Sequence, residues 1–184
     1  MTTLLIIVLV VGLAVGFLYN KLVSLRNRVE EGLSGIDVQL KKRYDLIPNL
    51  VNTVKGYATH ESGTFENVIK ARNQAMEVNI TGDANAKAAV ESQLSGTLKS
   101  LFALAENYPD LKANTSFLDL QKNLADIEEN LSNSRRYYNA LVRDNNIAVE
   151  SFPSNVVANY FSFRQAEYFE IEDSNERSVP EVKF

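Results

Sequence analysis

LVSLRNRVEEGLSGIDVQLKKRYDLIPNLVNTVKGYA, residues 22–58, decides the fold. Apolar side chains recur at Leu22, Leu25, Val29, Leu33, Ile36, Leu40, Tyr44, Ile47, Val51, Val54 and Ala58, ten steps over 36 residues and a mean step of 3.6. That is the period of a straight amphipathic α-helix. Pro48 falls inside the pattern, and the apolar phase is the same on either side of it. One helix with a joint is therefore expected. Proline removes a backbone donor and presses on the carbonyl four residues earlier, here that of Tyr44. Freed acceptors need partners. Arg43, Asp45 and Asn49 are the expected suppliers, in contact with the polar region from Arg135 to Asn146 or with a neighbouring subunit. The competing reading is a mild surface kink with solvated polar groups.

Directly upstream, LLIIVLVVGLAVGFLY runs from Leu4 to Tyr19, sixteen residues without a charge. As a helix it covers about 24 Å, against a hydrocarbon core of roughly 30 Å. Thr2 and Thr3 can extend it, and Tyr19 suits the interface. No Lys or Arg precedes the run, and FLYNKL offers no small-x-small cleavage site, so a retained single-span anchor is expected over a cleaved signal peptide. Lys21, Arg26 and Arg28 follow the span, which by the positive-inside rule places the rest of the chain in the cytoplasm. Gly12 and Gly16 form a small-xxx-small pair that permits close helix–helix packing in the membrane. Two incidental glycines explain it equally well.

Downstream of residue 58 the pattern breaks at HESGT, where Gly63 fits a helix C-terminus and Ser62 or Thr64 a cap. A shorter amphipathic helix is expected from Thr64 to about Val78. NITGDAN reads as a turn, and a second short helix runs from Ala84 to Tyr108 with Val90, Leu94, Leu98, Leu101 and Ala105 as its stripe. Pro109 ends it. From Phe117 the apolar seam passes through Leu120, Leu124, Ile127, Leu131, Ser134, Tyr138, Leu141, Asn145 and Ala148 to Phe152, 35 residues in ten steps. A period of 3.5 is coiled-coil-like, with Ser134 and Asn145 as polar seam positions that can fix register. No stretch alternates long enough for a sheet. The expected fold is all-α: a transmembrane helix continuing into an elongated antiparallel four-helix bundle of two long and two short helices, plus a C-terminal extended tail. The expected divisions are 1–20 for the anchor, 21–152 for the bundle, and 153–184 for a short helix near residues 155–161 and an acidic, aromatic tail. The tail is too aromatic for a linker. Docking on its own bundle or on a neighbouring subunit is expected rather than on lipid, because its acidic end would be repelled by anionic headgroups.

Composition narrows the chemistry. A net charge of -4 provides no general basic surface for nucleic acid. The chain has no cysteine and one histidine, so disulfides, thiol nucleophiles and most transition-metal sites are absent. His60-Glu61 lacks the second histidine of a zinc-protease helix. Di-iron bundles need two Glu-x-x-His motifs. There is no phosphate-binding glycine loop. No cofactor, metal or catalytic residue is assigned, and His60 reads as a helix-end side chain.

YNKLVSLRNRVEEG at 19–32, IDVQLKKRYDLIPNLVNTVKGYATHE at 36–61, KARNQA at 70–75, YPDLKANTSFLDLQKNLADIEENLSNSRRYYNALVRDNN at 108–146 and FPSNVVANYF at 152–161 together resemble the LemA family of bacterial membrane proteins. SFRQAEYFE and VPEVKF in the tail match as well. Gly32-LSG departs from the family's more usual Ala-Trp-Ser-Gln, and this chain contains no tryptophan. The resemblance implies a membrane-anchored helical bundle of the bacterial inner membrane, and no reaction or cofactor, since the family has no established activity. Some relatives carry lipoprotein-type N-termini and expose the domain outside the cytoplasm, which leaves the extracytoplasmic side open.

Three functions compete. The first is a non-enzymatic scaffold that self-assembles on the membrane, with Arg135, Arg136, Tyr138, Asn145, Phe161, Phe163 and Phe169 as expected assembly contacts. The second is an adaptor presenting a bundle surface to a membrane enzyme, protease or signalling protein. The third, a remote one, is an enzyme using Arg43, Asp45 and His60.

Overall fold

A computed structural model describes residues 1–81 and 84–169. Among these the chain is all-α, with six helices and no strand: α1 (Thr2–Lys55), α2 (Ser62–Thr81), α3 (Ala84–Ala105), α4 (Pro109–Lys112), α5 (Thr115–Glu150) and α6 (Ser154–Tyr160). The acidic end of the tail and the Gly82-Asp83 turn lie outside the described residues.

α1 is one uninterrupted helix of 54 residues with Pro48 inside it, roughly 81 Å at the α-helical rise. Its first third is, among the described residues, the one stretch long and apolar enough to cross a membrane, and no residue of it is buried by the rest of the chain. Every member of the 22–58 stripe is buried or half-buried. The helix stops at Lys55; Gly63, expected at its C-terminus, lies in the first turn of α2 instead. The one-turn α4 was also unforeseen. Pro109 was read only as a terminator, yet proline suits the first position of a helix, where its missing N–H has no partner to lose.

The described chain forms two compact units. One is Met1–Ile36 with Asn133–Tyr168, and the other is Asp37–Ser132 with Phe169. In the first, α1 and α5 run antiparallel: Leu22 shares a buried cluster with Ala148, Val157 and Ala158, and Gly32 faces Tyr138 and Leu141. A Cβ on Gly32 would stand 2.9 Å from Leu141 Cδ1, so the missing side chain lets the two helices approach closely. The 117–152 seam is buried or half-buried up to Ala148, with Val142 added, but Phe152 is 82% exposed because α5 ends at Glu150.

α6 ends in a Schellman turn. Phe163 N–H donates to the Ala158 carbonyl (2.9 Å) and Ser162 N–H to that of Asn159 (3.3 Å), with Ser162 in the left-handed region at φ 59°. The tail then returns along α5. Asn146 clamps it in both directions: its amide donates to the Ala166 carbonyl (2.9 Å) and its Oδ1 accepts from Ala166 N–H (2.8 Å). Tyr138 donates to the Glu167 carbonyl at 2.8 Å. In the second unit α2 and α3 pack on each other, and the core takes Leu40, Ile47 and Leu50 from α1, Val68 from α2, Leu94 and Leu101 from α3, and Leu124 and Leu131 from α5.

Candidate functional site

Three adjacent facts of the second unit define its most unusual chemistry. Arg43 is only 1% exposed, in the middle of a helical core. A buried guanidinium is tolerated only when it is paired, and here both terminal nitrogens are hydrogen-bonded, while Nε lies at ion-pair distance from a carboxylate without a hydrogen bond of its own. Nη1 donates to Glu91 Oε2 at 2.6 Å, Nη2 to Ser95 Oγ at 2.7 Å, and Nε pairs with Glu128 Oε1 at 2.8 Å. The neighbouring Tyr44 hydroxyl donates to the other Glu91 oxygen. One turn before Glu91, the largely buried Lys87 reaches Asp37 at 2.8 Å.

α3 supplies this network from one face. Its buried positions are Ala84, Lys87, Ala88, Glu91, Leu94, Leu98, Leu101 and Ala105. Four-residue steps put Lys87, Glu91 and Ser95 on consecutive turns. Burial, and then the Glu91 carboxylate, push the Tyr44 phenol far above its ordinary value, so it stays a neutral donor. Burial also raises Tyr138 in the first unit, followed by the charge of Glu167. The arrangement holds charge in place: the Glu91 carboxylate is engaged on one oxygen by Arg43 and on the other by Tyr44.

The proline joint lies one turn on. The Tyr44 carbonyl, which Pro48 leaves without its helical donor, accepts from Arg72 Nε of α2 at 2.7 Å. Arg43, Asp45 and Asn49 do not serve it. Arg43 is committed to Glu91 and Glu128, Asp45 pairs with Lys41 at 3.2 Å on the surface, and the Asn49 carbonyl accepts from Thr53 Oγ1 at 2.9 Å. Beside Pro48 an open groove of about 620 Å³ runs between α1 and α2. Its floor is Pro48, Val51, Phe65 and Ile69, and its rim carries Lys55, Glu66, Lys70 and Glu77.

His60 is exposed in the loop after α1. Among the described residues no hydrogen bond or ion pair joins it to Arg43 or Asp45, and no group of three or more His, Asp or Glu is placed to hold a metal ion. Of the expected assembly contacts, Tyr138, Asn145 and Phe169 are buried within the chain. Arg136 and Phe161 are exposed, and Arg135 and Phe163 half-exposed. Gly12 and Gly16 face open space. Glu91, Ser95, Glu128, Arg72 and Asn146 were not anticipated. A signal for Glu91 existed: stepping the α3 stripe back from Leu94 by three or four lands on Glu91 and Lys87, charges in core phase.

The family model of the LemA family matches residues 32–184. The chain is 22% identical over 174 residues to Magnetosome protein MamQ of Magnetospirillum gryphiswaldense, covering 82% of this chain and 64% of that protein. It is 23% identical over 175 residues to Magnetosome protein MamQ 2 of Paramagnetospirillum magneticum, covering 83% and 64%. It is 24% identical over 139 residues to Protein LemA of Metamycoplasma hominis, covering 76% and 63%. The chain thus spans under two thirds of the length of these relatives.

Proposed function

This chain belongs to the LemA family, and from that premise we propose that it is a non-enzymatic, membrane-anchored scaffold that assembles with copies of itself. The observation that carries the reading is the continuity of α1, whose apolar first third and core-forming remainder are one unbroken helix. A direct helical connection of this kind suits a protein whose task is to hold helical structure next to a bilayer. The buried charges support a structural role, because Arg43, Glu91, Lys87 and Asp37 are consumed in pairing with one another and with Glu128. Exposed Tyr137, Ile147 and Phe161, beside Arg136, leave α5 and the segment after α6 with apolar surface for lateral contacts. Gly12 and Gly16 would add a seam inside the membrane. The bacterial inner membrane is the proposed location, with the bundle on the cytoplasmic side.

Sizing of the full chain in mild detergent tests the proposal. Particles of more than one chain are expected, and fewer of them after removal of residues 163–184. A strict monomer at high concentration overturns it. The groove beside Pro48 favours a second reading, an adaptor that receives a segment of another membrane protein. A photo-crosslinker at the exposed Gln74 separates the two: adducts with a heterologous protein and none with a second copy favour the adaptor.

A further inference from the structure

Tyr19 closes the apolar run, and the C-terminal helix meets α1 at that level. Leu22 is buried with Val157 and Ala158 of α6, and Leu18 and Leu25 pack on the same cluster. The Tyr19 ring contacts Phe161 edge-on at 4.8 Å and Phe163 at 5.7 Å. α6 and the residues that follow it therefore touch α1 from the last turn of the span to the turns just past it.

Val157 and Ala158 are the inward side of α6. The outward side exposes apolar residues too: Val156 and Tyr160, four residues apart on α6, are 61% and 82% exposed, and Phe152, two residues before the helix, is 82% exposed. In bulk water such a face is unfavourable by about 25 cal/mol for each Å². Within a turn or two of the end of a membrane span, the surrounding medium is the headgroup–acyl boundary, where aromatic rings are enriched. Charge agrees. From residue 152 to residue 165 there is no Asp or Glu and one Arg, so the acidic residues that speak against a lipid contact begin only at Glu167. Lys21 is exposed beside Tyr19, and the Arg26 guanidinium sits 5.6 Å over the Phe163 ring, where both cations can meet phosphates.

We infer that residues 152–161 form a second membrane contact, laying Phe152, Val156 and Tyr160 into the interface of the bilayer that the chain's own N-terminal helix crosses. The inference rests on the reading of residues 4–19 as a span.

The chain contains no tryptophan, so single Trp variants report cleanly. Phe152→Trp and Tyr160→Trp are placed in the full chain in phosphatidylcholine vesicles, with Tyr137→Trp and Leu9→Trp as references. Tyr137 is 60% exposed on α5, thirteen residues or roughly 20 Å before the end of that helix. Blue-shifted emission at 152 and 160 is expected, with quenching by lipids brominated near the headgroup at least about twofold stronger than at 137. Leu9→Trp responds most to mid-chain bromines. Emission at 152 and 160 matching that at 137, while Leu9→Trp is quenched, overturns the inference and leaves the span intact. Shielding from aqueous acrylamide without quenching by lipid also overturns it, because protein then covers the face. An unquenched Leu9→Trp removes the span reading and the inference with it.

Discussion

Arg72 supplies to α1 the donor that Pro48 lacks, and this makes the joint a cooperative feature of two helices. Removing it by Arg72→Met leaves the Tyr44 carbonyl without its donor and is expected to cost about 1–3 kcal/mol. Pro48→Ala restores a backbone N–H four residues after Tyr44, so Arg72→Met costs less in that background, with a coupling of about 0.5–1.5 kcal/mol. Denaturant unfolding of the four proteins measures it; strictly additive effects mean that Arg72 acts elsewhere. Tyr44 itself carries a pH signature. Its proton is held in the folded chain well beyond the ordinary phenol value of 10.0. Above that pH the unfolded chain binds fewer protons than the folded one, so stability is intact below pH 10.0 and falls as pH rises past it. The slope from this group is about 1.4 kcal/mol per pH unit. Tyr44→Phe is expected to be less stable at neutral pH, since one Glu91 oxygen loses its donor, and to show a shallower decline at high pH. An unchanged slope in unfolding measurements at alkaline pH contradicts this origin.

At the scale of elements, periodicity reveals helices and hides their partners. The α1 stripe and the α5 seam are legible because one apolar face recurs over ten steps in each. The end of the seam fails at Phe152, where the period continues one step past the last helical residue. Arg43 was expected at the proline joint, and the sequence does not name the acceptors that bury it, because Glu91 and Glu128 lie 48 and 85 residues away. No local pattern shows such a pairing, although core-phase charges on α3 hint at one half of it. Asn146 was passed over for its neighbour Asn145, which has the seam phase; the tail that Asn146 holds has no period at all. The end of α6 offers a direct test of element logic. Ser162 occupies a left-handed position that favours glycine. Ser162→Gly is expected to raise stability by about 0.5–1 kcal/mol, read as a higher denaturation midpoint. A lower midpoint shows that the Ser162 side chain contributes more than its backbone strain costs.

For the whole molecule, the fold class and the family were both readable before any coordinates, because a charge-free N-terminal run, two long apolar stripes and the DLIPNL and YPDLKAN elements occupy most of the chain. Function is less exposed to sequence, since the proposed scaffold role would need no catalytic constellation and would depend on surfaces that a single chain shows only as exposed apolar side chains. The proposal that this protein holds a membrane-attached array together therefore turns on copies meeting in a bilayer. Direct imaging of the full chain reconstituted in lipid membranes is the decisive measurement. Contacting copies in clusters or ordered rows are predicted at moderate protein density, becoming sparse when residues 163–184 are removed. Isolated single copies at every protein-to-lipid ratio would contradict the scaffold.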